Sequence, residues 1–201
     1  MKSKVKIGLI ILAAGASTRL GNAKQFLIFR GETLLRRIVR EAVESICQPV
    51  IVVLGKDARE FENHLKGFNV CIAQNKNWER GMGTSINAGI EKLLDTDQET
   101  EGVVLTVCDQ PFLTNSIINQ LTETFYQNQA LIAASAYNET LGVPALFSRK
   151  LFPELANLKS TGGAKEIIKR FSDEVVSVDF PQGAIDIDTM EDFRRLEESK
   201  I

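Results

Sequence analysis

The chain has 201 residues, with 26 acidic against 24 basic side chains, a formal charge of −2 and 44% hydrophobic residues. That balance argues against a broad nucleic-acid-binding face, which needs an excess of cations, and matches an ordinary globular domain with chain enough for one substantial core. Cys47, Cys71 and Cys108 are odd in number and far apart, so they form neither a disulfide framework nor a zinc spacing and suit a reducing compartment; a single cytoplasmic domain over residues 1–201 is expected.

The first predicted element is a strand. Ile7 to Leu12 is an apolar run broken only by Gly8, the pattern of a strand buried on both faces of a parallel sheet. Met1 to Ala16 also imitates a secretory leader, with Lys2, Lys4 and Lys6 ahead of the apolar run, but cleavage there would remove this strand and half of the loop after it. No other stretch is long enough to cross a bilayer, so no membrane partner is expected. The strand empties into Ala13, Ala14, Gly15, Ala16 and Ser17, small residues that let an anion approach main-chain N–H groups, and two cations follow, Arg19 and Lys24. A buried strand, a small-residue loop and two fixed positive charges make a site for a polyphosphate. Neither the P-loop spacing nor the G-x-G-x-x-G dinucleotide fingerprint is present.

Thr33 to Ile46 reads as an amphipathic helix, with Leu34, Leu35, Ile38, Val39, Ala42, Val43 and Ile46 on one face and Arg36, Arg37, Arg40, Glu41 and Glu44 on the other. A second buried strand is expected over Val50 to Leu54. Asp57 and Glu60 form a capping pair for a short helix reaching Leu65, and Val70 to Ala73 is a third strand. Gly81 to Leu94 starts in glycines and becomes a helix. Gly102 to Val107 is a fourth strand, ending in Cys108-Asp109-Gln110-Pro111, and Thr114 caps the helix that carries Ile117, Ile118, Leu121 and Phe125 inward. Strands over Leu131 to Ser135, Val143 to Phe147 and Val175 to Val178 alternate with helical patterns over Arg149 to Leu155 and Gly163 to Phe171. Asp186-Ile187-Asp188 leads into a terminal helix with Thr189 and Asp192 as a capping pair. The alternation predicts an α/β fold, a mostly parallel sheet with helices on both faces, whose ligands bind at the carboxyl ends of the strands. The loop of residues 13–24 and Asp109 fall on that same edge. Ser17 lacks a nearby base, His64 being the one histidine, and is read as a turn-stabilising hydroxyl.

The set Leu12, Ala13, Ala14, Gly15, Ser17, Arg19, Gly21 and Lys24 resembles the MobA-like nucleotidyltransferases, and within them the molybdenum cofactor cytidylyltransferases. Leu20 stands where that family usually has Met. The resemblance implies a three-layer α/β/α fold of the nucleotide-diphospho-sugar transferase type. It also implies that Leu12, Ala13, Ala14, Gly15, Ser17, Arg19 and Lys24 hold a nucleoside triphosphate. Asp109, in the D-x-P motif, would hold Mg²⁺, with Mn²⁺ as a substitute, and Asp188 would be the second carboxylate. Asp186, two residues away and on the same side of an extended segment, is the alternative ligand.

Gln74 to Ser85 resembles the cytidylyltransferases' N-x-x-W/Y-x-x-G-M-G-S-S segment; Gly81 and Gly83 permit close backbone approach, and Thr84 and Ser85 have hydroxyls free to read a base edge at a helix start. Gly142-Val143-Pro144 resembles the element beside the acceptor site. Gly162, Gly163 and Lys165 sit where the family has G-D-x-G-A-R, with Ser160, Thr161 and Lys165 as departures. The activity implied is attack by the phosphate of a molybdopterin-type acceptor on CTP, with a molybdoenzyme as a further partner. GTP, which the Leu-Ala-Gly-Gly members use, another phosphorylated acceptor, and a cofactor carrier for a molybdoenzyme are the alternatives.

Overall fold

Apolar strands and amphipathic helices alternate along the computed structural model, which describes residues 6–15, 24–55, 58–187 and 189–198, the side chains of 58–60 and 197–198 excepted. In chain order the strand β1 (Ile7–Ala13) is followed by a short 3-10 turn (Lys24–Phe26), a hairpin of β2 (Ile28–Phe29) and β3 (Glu32–Thr33), and helix α1 (Leu34–Glu44). Then come β4 (Val50–Leu54), α2 (Ala58–Leu65), β5 (Cys71–Gln74), α3 (Met82–Thr96), β6 (Gly102–Val107) and α4 (Asn115–Asn128). The last part runs β7 (Ile132–Tyr137), β8 (Thr140–Ser148), α5 (Phe152–Ala156), α6 (Ala164–Arg170), β9 (Val175–Asp179) and α7 (Met190–Glu198). Among the described residues no helix is long and apolar enough to cross a membrane.

The main sheet has the order β5-β4-β1-β6-β8-β7-β9. Every strand is parallel to its neighbours except β8, which pairs antiparallel with both β6 and β7. The reversal has a local cause: Asn138 and Glu139 both take positive φ, so β7 and β8 are joined by a two-residue hairpin turn rather than by a helical crossover. Side chains alternate across β1. Leu9, Ile11 and Ala13 pack with α1, α2, α4 and α7 on one face, while Ile10 and Leu12 pack with α3, α5 and α6 on the other. Each such aliphatic side chain, fully buried, contributes on the order of 1.5–3 kcal/mol. Gly89 lets α3 lie close: a Cβ there would come within 2.8 Å of the Ile10 side chain.

Helix boundaries follow their caps. The Thr33 hydroxyl accepts from the Arg36 N–H, and Thr189 and Asp192 form the expected reciprocal box. The Asp57–Glu60 pair lies outside the described side chains. Two expectations for α1 are corrected. Ile46 is past the helix end and 53% exposed, and Glu41 is buried rather than solvated. The reason is α4: Thr114 occupies its N-cap position without a side-chain bond, and the Glu41 carboxylate accepts from Asn115 N (2.8 Å) and Nδ2 (3.1 Å) instead. An acidic side chain from a neighbouring helix thus satisfies one of the free N–H groups of α4 and offsets its dipole.

Candidate active site

β1 and β6 are paired in parallel with Leu12 opposite Val107, so the segments leaving their carboxyl ends start side by side. From β1 come Ala14 and Gly15; from β6 come Cys108 and Asp109. A cavity of about 550 Å³ opens there, lined among the described residues by Leu12, Ala14, Gly15, Lys24, Ser85 and Asp109 from the expected set. Gln25, Trp78, Gly81 and Met82 complete its wall together with Glu79, Val107 and Cys108. Lys24, at the start of the 3-10 turn, donates from Nζ to Asp109 Oδ2, and both side chains are largely buried. Arg19, Ser17 and Asp188 lie outside the described residues.

Lys24 is steered by its neighbour. Gln25 is 1% exposed and its Nε2 donates to the carbonyls of Ala13 (2.9 Å) and Gly15 (3.0 Å). One buried amide thereby fixes the exit path of β1 and the start of the turn that carries Lys24. No motif in the sequence marks Gln25 for this; its place next to Lys24 is the one available signal.

Asp109 is held by its backbone and leaves one oxygen open. Its carbonyl accepts from the Ile187 N–H at 3.1 Å. Pro111 O accepts from Arg37 Nε at 2.6 Å. Gln110, 3% exposed, donates from Nε2 to Val143 O (3.0 Å) and Gly183 O (2.9 Å). Asp109 Oδ1 is buried with no hydrogen-bond partner among the described residues. A buried carboxylate oxygen without a donor fits a hard cation. Among the described residues no cluster of three His, Cys, Asp or Glu side chains exists. That donor set suits Mg²⁺ or Mn²⁺ shared with waters and phosphate oxygens, and not a cage built of protein alone.

Among the described residues covalent catalysis finds no support. Burial first, and then the Asp109 charge, push the Cys108 thiol up to about 12, so it stays protonated and weakly nucleophilic. His64 sits on α2 with its ring 4.7 Å from that of Phe26, engaged in packing.

The α3 side differs from expectation in detail. Gly81 and Gly83 do admit a close approach, but of the protein's own backbone: a Cβ at Gly81 would come 2.4 Å from Ser160 O, and one at Gly83 would come 2.0 Å from Lys159 O. Gly81 also has φ +121°, a conformation side chains disfavour. The Gly83 N–H donates to Ser160 O, so Gly83 seats the 159–162 segment and does not line the cavity. The Thr84 hydroxyl is not free: it faces Asn77 O and Gly81 O as donor and accepts from Asn75 Nδ2. Ser85 alone of the pair lines the cavity. Ala13, on the opposite side of β1 from Leu12 and Ala14, packs into the α1 face of the core.

The expected acceptor residues fall in two places. Gly142 and Pro144 belong to β8, beside the Asp109 loop, where Gln110 and the Tyr137 hydroxyl both donate to Val143 O. Gly142 is covered by that ring: a Cβ would come 2.1 Å from the Tyr137 oxygen. Gly162 and Gly163 pack against the start of α3, Gly163 lying by Met82 Sδ, and Lys165 is exposed on α6. None of the five lines the cavity.

Residues 9–175 match the MobA-like NTP transferase domain. The molybdenum cofactor cytidylyltransferase of Escherichia coli is 27% identical over 188 residues, covering 93% of each chain. Nicotine blue oxidoreductase of Paenarthrobacter nicotinovorans is 27% identical, covering 93% of this chain and 94% of that one. The crystal structure of Rv0371c from Mycobacterium tuberculosis in complex with manganese superposes with a TM-score of 0.74 at 27% identity, over 97% of this chain and 100% of that one. With the family match spanning most of the sheet and both sides of the cavity, the chain belongs to the MobA-like NTP transferase family.

Proposed function

We propose that this protein transfers a cytidylyl group from CTP to the terminal phosphate of a molybdopterin-type acceptor and releases pyrophosphate. One observation carries the reading: Lys24 and Asp109 pair at the shared end of β1 and β6, on the wall of a cavity that also offers apolar surface from Leu12, Trp78 and Met82. Phosphate chemistry needs the charged end; a nucleobase needs the apolar one. The E. coli relative that carries the cytidylyltransferase name supports the choice of CTP. So does Ala14, whose Cβ narrows the cavity where guanylyl members have glycine. The absence of a dinucleotide fingerprint favours transfer of a nucleotide over transfer of a hydride.

In this mechanism an oxygen of the acceptor phosphate attacks the α-phosphorus of CTP, the bond to the bridging oxygen breaks, and the electron pair leaves on pyrophosphate. Lys24, with Arg19, holds the triphosphate and offsets the charge that builds on the leaving group. Asp109 and Asp188 would hold Mg²⁺, or Mn²⁺ as in the mycobacterial relative, which neutralises phosphate oxygens when bound. Gln25 fixes the loop after β1 and Gln110 fixes the loop after β6 to β8 and Gly183, so alignment of two mutually repelling anions is built in before they meet. The acceptor would enter beside the cavity, between the β8 stretch that holds Gly142 and Pro144 and the segment that holds Gly162, Gly163 and Lys165. Pyrophosphate release measured with CTP, GTP, ATP and UTP, with and without the pterin acceptor, tests the reading. Release with CTP that depends on the acceptor supports it. Binding of the acceptor without turnover of any nucleotide would point to a carrier, and preference for GTP would overturn the cytidylyl assignment.

A further inference from the structure

Asn75 lies at the end of β5 and is 4% exposed. Its carboxamide has one orientation that satisfies its surroundings. The atom facing the Asn77 main-chain N–H at 2.8 Å must be the acceptor, Oδ1, because a backbone amide can only donate. The atom facing Thr84 Oγ1 (2.8 Å) and Ser85 Oγ (2.9 Å) is therefore the NH₂ group. Ser85 Oγ then receives a hydrogen bond from inside the protein. Its own proton has no acceptor among the described residues, and the side chain lines the cavity.

We infer that Asn75 is a specificity-positioning residue: by donating to Ser85 Oγ it forces the Ser85 hydroxyl to face the cavity as a hydrogen-bond donor, matched to an acceptor atom on the nucleobase. The inference rests on the nucleotide-transfer reading of this site. The chemistry is polar bookkeeping of a buried pair. A hydroxyl that has accepted from Asn75 has its one hydrogen left to give to the cavity, where an acceptor such as N3 or O2 of cytosine can displace water and take it. Were the amide an acid, Ser85 would donate inward and turn a lone pair towards the base. Asn75 touches no ligand; it acts through Ser85. Thr84 serves as the second recipient that keeps the amide from rotating, since its hydroxyl proton is already directed at the Asn77 and Gly81 carbonyls.

The test uses the full chain and Trp78, the sole tryptophan, which lines the same cavity and reports nucleotide binding by its fluorescence. CTP dissociation constants are measured for wild type, Asn75→Asp, Ser85→Ala and the double variant. Asn75→Asp in the wild-type background is expected to weaken CTP by roughly 10-fold or more, the scale of a hydrogen bond lost and its lone pair opposed. In the Ser85→Ala background the same change is expected to alter CTP binding by less than about 3-fold, because the group through which it acts is gone. Equal losses in both backgrounds, or no loss in either, would overturn the inference. Should Asn75→Asp not fold, Asn75→Leu is put through the same cycle, with the same two outcomes read the same way. Wild-type protein that binds no nucleoside triphosphate would refute the transferase reading itself, a result separate from a failed cycle in a protein that binds CTP.

Discussion

The main-chain N–H of Ile187 donates to the carbonyl oxygen of Asp109 at 3.1 Å. This bond ties the segment before α7 to the end of β6, so Ile187, next in sequence to Asp186 and Asp188, is fastened to the residue whose second carboxylate oxygen fits a cation. Ile187 is fully buried and Asp186 is exposed. Burial first, and then the Asp186 charge, hold the Tyr137 phenol above its ordinary value, and the Asp109 charge adds to it. We propose Asp188 as the second ligand, with Asp186 as the alternative. Asp109→Ala and Asp188→Ala are each expected to raise the Mn²⁺ concentration for half-maximal activity by about 10-fold or more, a scale at which even outer-shell changes register. Asp186→Ala is expected to raise it by less than about 3-fold. A metal titration in which Asp186→Ala has the larger effect would reassign the ligand.

Lys24 and Asp109 are predicted to matter for rate more than for folding. Each is a preorganised charge at the point where phosphate charge shifts, and removing one such element typically costs on the order of 10²–10³ in turnover. Lys24→Ala and Asp109→Ala should both fall in that range in a pyrophosphate-release assay. Turnover within a few-fold of wild type in both variants would remove them from the machinery.

Gln25 makes the companion prediction for the loop. Gln25→Glu keeps the shape but replaces the donor with an acceptor facing two carbonyls, Ala13 O and Gly15 O. The orphaned groups cost about 1–3 kcal/mol of stability. A KM for CTP that rises more than kcat falls would mark the lost loop geometry. A variant that loses stability with unchanged KM would show Gln25 to be a core staple only.

The parts of this molecule legible in its sequence are those set by local pattern. Val50–Leu54 and Gly102–Val107 are strands at the residues expected, because each is a short β-branched apolar run opened by a residue that breaks helices, Pro49 before the first and Gly102 at the start of the second. That Lys24 and Asp109 fall at one edge of the sheet was legible too, since each follows such a strand. What was hidden depends on partners far along the chain. Glu41 shares a helical stripe with Arg36, Arg37 and Arg40, and it is buried where Arg40 and the start of α4 both donate to it. β8 reads as one more parallel strand until the Asn138–Glu139 turn is known to reverse it. The glycines at 81 and 83 signal close approach correctly, but the sequence does not say that the approaching backbone is residues 159–162.

The Glu41 cap gives a prediction with no active-site component. Glu41→Ala removes the acceptor for Asn115 N–H and Nδ2 and should cost about 1–3 kcal/mol, combining a lost cap with a lost charged hydrogen bond. Glu41→Gln retains an acceptor and should recover much of it. Urea midpoints should shift while the slope stays constant, and CTP affinity should stay at the wild-type value.

Cys47 is expected to contribute to a loss of stability at alkaline pH. Its side chain is fully buried, with Sγ 3.6 Å from Thr122 Oγ1 and its N–H on Ser45 Oγ. Burial raises the thiol pKa, and the hydrogen bonds from Thr122 and Ser45 offset only part of that. In the unfolded chain the thiol ionises near about pH 8.5. Between that value and the raised folded one, the native state holds a proton that the unfolded state has lost. Stability is thus fully present below the unfolded value and falls as pH rises, with a slope approaching about 1.4 kcal/mol per pH unit for this one group. Cys108 shifts in the same direction and steepens the loss. Urea unfolding at pH 7.5, 8.5 and 9.5 should show wild type losing stability across the series and Cys47→Ala losing less, from a lower start. Parallel losses in the two proteins would show that the buried thiol is not the titrating group.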